Sequence, residues 1–294
     1  MHPSPRHRHL PSLVVTLAVL LTGTGTSRPH AQSDTAALIA RIEAPQLPDR
    51  QGFDSLTLLQ LMQRLHVPAV SIAVVKDFQV HWAKAYGVAD VVTKRPAETS
   101  TRFQAASISK PVTAMAAMRL AQEKRLDLDT DVNTILESWH VPESSLTHMQ
   151  PVTPRSLFSH TSGADDGFGF PGYDPATPMP TIVQILNGES PSNVGQVLFA
   201  RPPFRGYKYS GGGVTIMQLA LADLTGRPFA ELMQATVLGP LQMTNSSYVQ
   251  PATPDVTAQA ARAHDAQGRA MEAPWHVYPE QAAAGLWTTP SDLA

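Results

Sequence analysis

Apolar residues recur at helical spacing in three stretches of the chain and form short β-branched runs in two others. Leucine and methionine follow the helical period in residues 57–66, and the apolar positions of 112–122 and 214–224 do the same. Residues 69–75 and 80–85 are apolar runs separated by Lys-Asp-Phe-Gln, which is typical of a β-hairpin. The pattern therefore predicts a helix, a hairpin and then two further helices.

The helix predicted at 112–122 has a defined start. Pro111 lacks an N–H group and is tolerated only in the first turn, where N–H groups have no partner within the helix. The helix must therefore begin close to Ser107. The stripe that we expect to face the core consists of Val112, Met115, Ala116 and Leu120.

Composition narrows the class of protein. The chain has 294 residues, 43% of them hydrophobic and 16% charged, which suits a globular protein with a substantial core. It contains no cysteine, which excludes disulfides, thiolate metal sites and a cysteine nucleophile. We expect no nucleic-acid partner, because the net charge is −2 and basic clusters are lacking outside the N-terminus.

The N-terminus predicts export. Residues 6–9 form a basic start, and the apolar run at 13–21 suits a signal-peptide core but is shorter than the ~20 residues that span a bilayer. We interpret residues 1–31 as a signal peptide, 32–50 as a linker and 51–294 as the folded domain. The protein is then periplasmic or secreted, without a stable membrane span; an uncleaved anchor is the alternative.

Ser107 and Lys110 form the first candidate for chemistry. They are three residues apart, so on a helix they share a face and the amine can reach the hydroxyl. A serine needs a neighbouring base to become a good nucleophile. The free N–H groups at a helix start also favour a negative charge that develops beside Ser107. One helical turn thus supplies nucleophile, base and electrostatic stabilisation.

Residues 101–111, with the sequence Thr-Arg-Phe-Gln-Ala-Ala-Ser-Ile-Ser-Lys-Pro, resemble the nucleophile segment of serine β-lactamases and penicillin-binding proteins, particularly the class C-like branch. The resemblance implies an acyl-enzyme mechanism with Ser107 as nucleophile and Lys110 as base. The family's second motif is Tyr-x-Asn, and Tyr209-Ser210-Gly211 stands at that point, which makes Tyr209 the second proton-transfer group. Gly211 replaces the usual amide side chain, which weakens the expectation of β-lactam recognition.

The resemblance also implies the fold. We expect an α/β (α+β) domain with an antiparallel sheet flanked by helices, a mainly helical lobe from about residue 120 to 250, and the site between them. The family's third motif lies on a strand beyond residue 294. We therefore expect the domain to be truncated at its C-terminus.

Three other kinds of site fit parts of the sequence less well. His160 lies in a Ser/Thr/Gly cluster and could form a triad with Asp165 or Asp166, but the chain has no Gly-x-Ser-x-Gly elbow, and we favour a structural role. Adjacent aspartates seldom act on one glycosidic bond. The alternating aspartates of 126–131 fail the calcium-loop pattern at Val132 and Ser138, which predicts caps and turns.

The sequence therefore favours an exported serine hydrolase that needs no metal or organic cofactor. Its substrate could be a β-lactam, a D-amino acid peptide or a small ester. The alternative is a non-catalytic relative that binds peptidoglycan or a partner protein.

Overall fold

The structure, a computed structural model, describes residues 29–46, 52–165 and 169–294, with the backbone alone at 29–33. The expected signal peptide lies outside the described residues as far as residue 28. Among the helices that the structure describes, none is both long and apolar enough to cross a membrane.

Helices make up most of the regular structure. Helices α1 to α11 span Pro29–Glu43, Leu58–Arg64, Ser109–Gln122, Ser145–His148, Pro154–Phe158, Ile182–Asn187, Gly211–Thr225, Phe229–Met233, Pro254–Ala258, Gln281–Ala284 and Pro290–Leu293. Strands β1 to β5 span Ala69–Lys76, Gln79–Asp90, Arg95–Pro96, Phe103–Gln104 and Trp287–Thr288. Short 3₁₀ turns cover Gly52–Ser55, Ala106–Ile108 and Val132–Thr134, and a π-helical turn covers Gln234–Leu238.

The strands form two antiparallel sheets. β1, β2 and β3 pair in that order, with β1 at one edge, and β4 pairs with β5 separately. Asp77 and Phe78 connect β1 to β2 with φ angles of 53° and 59°, the backbone that suits a two-residue hairpin between twisted strands. The predicted hairpin is confirmed, and its second strand is continuous from Gln79 to Asp90.

Most of helix α1 lies within the stretch expected to be a linker, 32–50, and the helix reaches Glu43. The Glu43 carboxylate pairs with Lys84 and accepts a hydrogen bond from the Tyr86 hydroxyl over 3.0 Å, both on β2. Burial and the neighbouring carboxylate raise the pKa of Tyr86 to about 12, so the phenol remains a donor. This contact with the sheet anchors the end of α1, and no short-range sequence pattern shows it. The rest of the expected linker, from residue 47, lies outside the described residues.

Helix α3 runs through the core, as predicted. Val112, Ala116 and Leu120 are buried, together with Ala117. Met115 was expected on this stripe but is 46% exposed. The buried stripe is centred closer to Ala116 and Ala117, which leaves the methionine beyond its edge.

The predicted helical lobe is confirmed. Helix α7 is buried along most of its length and packs against α5, α6, α8 and α10, while α10 packs against α3. The mixed α/β architecture, with small antiparallel sheets and many helices, therefore agrees with the expected fold.

The aspartates around residue 129 cap and turn the chain, as expected. Asp127 accepts the Asp129 N–H over 2.9 Å, and Asp131 accepts the Asn133 N–H over 2.9 Å at the start of a 3₁₀ turn. The Asp129 carboxylate makes a bidentate pair with Arg155, which lowers the pKa of Asp129. Each carboxylate thus has a local structural role.

Candidate active site

Ser107 is presented at the surface by a strained turn between β4 and α3. Ala106 has a φ of 45°, a conformation that costs a non-glycine residue about 1–3 kcal/mol. The Ser109 hydroxyl donates to the Ala106 carbonyl over 2.5 Å and accepts the Leu286 N–H over 3.0 Å. These bonds hold the turn, and Ser107 remains exposed.

Lys110 lies one turn after Ser107 and points back at it. Its Nζ is 3.0 Å from the Ser107 Oγ, and the side chain is buried. The amine also donates to the Ala283 carbonyl over 2.8 Å. A 3.0 Å separation allows a proton to pass between oxygen and nitrogen, which is the geometry of a nucleophile and its base.

Tyr209 reaches the same amine from the segment that precedes α7. The Lys110 Nζ lies 5.0 Å from the centroid of the Tyr209 ring, within the range of a cation–π contact, and the tyrosine is partly exposed. The Ser210 hydroxyl accepts the Gly213 N–H over 2.7 Å and caps α7. This cap fixes the start of α7, two residues after Tyr209. The three residues proposed from the sequence therefore lie together, because Ser107 and Tyr209 both contact the amine of Lys110.

A group of buried side chains that sequence reasoning missed braces α3 behind Lys110. The Tyr248 hydroxyl donates to the Ser109 carbonyl over 2.7 Å, and burial raises the pKa of Tyr248, so it stays a neutral donor. The Thr113 hydroxyl lies 3.2 Å from the Ala282 carbonyl and 3.3 Å from the Tyr248 hydroxyl. Thr113 and Tyr248 are 135 residues apart in the sequence, so no pattern along the chain shows that they meet.

His160 packs beside Tyr209 and supports it. Its ring lies 4.6 Å from the Tyr209 ring, centroid to centroid. Its Nδ1 accepts the Ser210 N–H over 3.2 Å, and its carbonyl accepts the Lys208 N–H over 2.9 Å. These contacts fit the structural role favoured from the sequence.

Asp165 is engaged in an ion pair. Its carboxylate lies 2.5 Å from the Lys208 Nζ, and this hydrogen-bonded pair lowers the pKa of Asp165. The ion pair joins the loop after His160 to the segment that leads to Tyr209. Asp166, the other candidate orienter, lies outside the described residues.

Glu280 is an unexpected buried acid next to the site. It is fully buried, and neither carboxyl oxygen is hydrogen-bonded to another of the described residues. Burial raises the pKa of Glu280 to about 7. Its backbone carbonyl accepts the N–H groups of Ala283 and Ala284, so it begins α10, which supplies the carbonyl partner of Lys110.

Comparisons with known proteins show what the chain is similar to. A model of the Beta-lactamase family matches residues 57–294. Protein flp of Staphylococcus aureus strain N315 is 29% identical over 233 residues, which cover 78% of this chain and 43% of that relative. The chain therefore spans less than half the length of this curated relative.

Solved structures share the fold. The penicillin-binding protein homologue from Pyrococcus abyssi, described as octameric, has a TM-score of 0.61 and 25% identity over 79% of this chain and 52% of its own. EstCE1, described as a hydrolase with promiscuous acyltransferase activity, has a TM-score of 0.66 and 21% identity over 90% of this chain and 71% of its own. The match to EstCE1 bears on the fold alone.

Proposed function

From the membership of this chain in the Beta-lactamase family, which the match over residues 57–294 establishes, we propose that the protein is a serine hydrolase that works through an acyl-enzyme. The observation that carries the proposal is the 3.0 Å contact between the Lys110 amine and the Ser107 hydroxyl, with the Tyr209 ring beside the same amine. Esters and amides are the substrate class that this arrangement serves.

The first half of the reaction forms the acyl-enzyme. The Ser107 Oγ attacks the substrate carbonyl carbon while its proton passes to the Lys110 Nζ. The tetrahedral oxyanion then collapses and the bond to the leaving group breaks. Tyr209 delivers a proton to the departing atom and recovers one from Lys110.

The second half releases the product. A water molecule attacks the ester carbonyl of the acyl-enzyme and gives up its proton to the Lys110–Tyr209 pair. The bond to Ser107 breaks, and the serine oxygen takes a proton back. Substrate and water are consumed, and acid and leaving group are released, with the protein unchanged.

The proposed substrate classes are a small ester, a β-lactam and a D-amino acid peptide. The Pyrococcus neighbour is described as a penicillin-binding protein homologue, which supports the use of a penicillin as one probe. A non-catalytic role in binding peptidoglycan or a partner is the competing outcome.

The test is covalent labelling. A fluorophosphonate and a fluorescent penicillin are offered to the protein and to Ser107→Ala, and the labelled peptide is mapped by mass spectrometry. We expect label on Ser107 from at least the fluorophosphonate, and a burst of nitrophenol from a p-nitrophenyl ester that Ser107→Ala abolishes. Equal labelling and turnover in Ser107→Ala would place the nucleophile elsewhere, and no acylation at all would favour the binding role.

A further inference from the structure

An aromatic ring covers the start of α7 beside Tyr209, and this face is called the wall of the site. Gly211 opens α7 two residues after Tyr209, and a Cβ atom on it would lie 2.9 Å from Cε2 and 3.3 Å from Cδ2 of Phe170. The backbone of Gly211 is helical, so the ring and not the backbone excludes a larger residue. Phe170 therefore occupies the space that a side chain at position 211 would take.

Phe170 is held in this place by the residues that follow it. The Pro171 carbonyl accepts a hydrogen bond from the His276 Nδ1 over 2.8 Å, and Tyr173 and Val277 exchange two backbone hydrogen bonds of 2.8 Å. Gly172 has a φ of 79° and packs so closely that a Cβ atom would lie 2.7 Å from the His276 Cβ. A left-handed, tightly packed glycine makes this contact possible.

The same segment is tied to the nucleophile. The Gln104 side chain donates to the His276 carbonyl over 2.7 Å and accepts the His276 N–H over 3.3 Å. Gln104 belongs to β4, three residues before Ser107. The position of the Phe170 ring is therefore set relative to Ser107 by a chain of direct contacts.

The residues of this wall that the structure describes offer few groups to a polar substituent. The Ser210 hydroxyl is buried and bonded to the Gly213 N–H, Gly211 has no side chain, and Phe170 is apolar and partly exposed. An amide that leaves water to lie against such a wall loses hydrogen bonds without replacement, which reduces binding by about 10- to 100-fold. A hydrocarbon chain loses nothing there and gains contact with the ring.

We propose that Phe170, together with Gly211, determines specificity for the acyl group and selects esters with apolar acyl chains over acyl groups that carry an amide. This inference rests on the proposed acyl-enzyme chemistry at Ser107. It narrows the three substrate classes to small apolar esters and disfavours acylamino β-lactams and peptides.

The test uses two esters with the same leaving group and the same acyl chain length, p-nitrophenyl pentanoate and p-nitrophenyl N-acetylglycinate. Values of kcat/KM are normalised to the rate of each ester with hydroxide. The natural protein is compared with Phe170→Ala and with the double variant Phe170→Ala/Gly211→Asn, in which the ring is removed before the amide is introduced. Phe78→Ala, which removes a fully exposed ring at the hairpin turn, is the matched control.

We expect the natural protein and Phe78→Ala to prefer the pentanoate by about 10- to 100-fold. Phe170→Ala should lower the normalised kcat/KM for the pentanoate by about 10-fold. The double variant should raise the normalised kcat/KM for the N-acetylglycinate by at least the same factor. Thermal unfolding shows that each variant is folded. An unchanged ratio in a folded double variant that still acylates Ser107 overturns the specificity role alone. Absence of Ser107-dependent turnover with both esters overturns the proposed function, and the specificity role with it.

Discussion

Two side chains next to Ser107, those of Lys110 and Tyr209, differ in their contacts. The Lys110 amine lies 3.0 Å from the Ser107 hydroxyl, and the Tyr209 ring contacts the same amine. Substitutions of Lys110 and of Tyr209 should therefore slow different steps of the reaction.

Lys110→Ala should lower the rate of acylation by a general-base factor of about 10²–10⁴. Tyr209→Phe should slow the release of a poor leaving group, such as an alkoxide, much more than that of p-nitrophenolate, which needs no proton. Pre-steady-state kinetics with ethyl and p-nitrophenyl esters of one acid measure both effects. An equal loss on the two esters in Tyr209→Phe would show that the hydroxyl does not serve the leaving group. Thermal unfolding of Tyr209→Phe, which loses only a hydroxyl, is the control for folding.

Glu280 should make stability depend on pH. Its pKa is about 7 in the folded protein against an ordinary value of 4.5, so between these values the folded state holds a proton that the unfolded chain has lost. The free energy of unfolding should therefore fall as pH rises from about 4.5 to 7, by on the order of 3 kcal/mol from this group.

Urea unfolding of the natural protein and of Glu280→Gln at pH 5 and pH 8 measures this contribution. Glu280→Gln keeps the shape but cannot ionise, so its advantage over the natural protein should grow from pH 5 to pH 8. Glu231→Gln, at an exposed position on α8, is the matched control and should show no such change. A constant difference at both pH values would mean that Glu280 is not protonated in the folded state.

At the scale of elements, α3 depends on partners that are distant in the sequence. Lys110, Thr113 and the Ser109 hydroxyl contact backbone groups of 282–286, and the Tyr248 hydroxyl binds the Ser109 carbonyl. The helix that carries the base is thus positioned by a segment near the end of the chain. Its own sequence predicts the helix but not this position.

The β1–β2 hairpin carries local strain that a substitution can remove. Phe78 adopts a φ of 59° and is fully exposed, so its side chain gains no contact for a conformation that costs a non-glycine residue about 1–2 kcal/mol. Phe78→Gly should raise the free energy of unfolding by about 0.5–1 kcal/mol. Phe78→Ala also loses the ring but keeps the strain, and it should change stability little. Urea unfolding of the natural protein and the two variants measures these changes. If Phe78→Ala raises the free energy of unfolding as much as Phe78→Gly does, the effect comes from loss of the ring and not from relief of strain.

At the scale of the whole molecule, we propose export, with residues 1–31 as the removed segment. The proposal rests on the basic residues 6–9 and the apolar run 13–21. Expression in a bacterial host with a periplasm should give a mature N-terminus between residues 27 and 33. Edman sequencing of the periplasmic fraction measures this position. Replacement of Leu17 by Arg within the apolar run should keep the protein in the cytoplasm, and secreted material that begins at Met1 would contradict the proposal.

The sequence alone determined the features that depend on neighbours along the chain. The period of apolar residues reports which face of a segment is buried, so α2, α3, α7 and the hairpin were predicted. Ser107 and Lys110 are three residues apart around the start of α3, and this spacing predicted that their side chains share a face.

Only the tertiary structure decided which distant segments meet. The helical pattern of α3 did not show that Met115 lies outside the buried stripe, because that depends on what packs against each face. The contact of Phe170 with Gly211, the burial of Glu280 and the docking of Glu43 against β2 join residues that are far apart in sequence. Such contacts follow from how the whole chain fills its core, and a linear pattern contains no record of the partner that each face acquires.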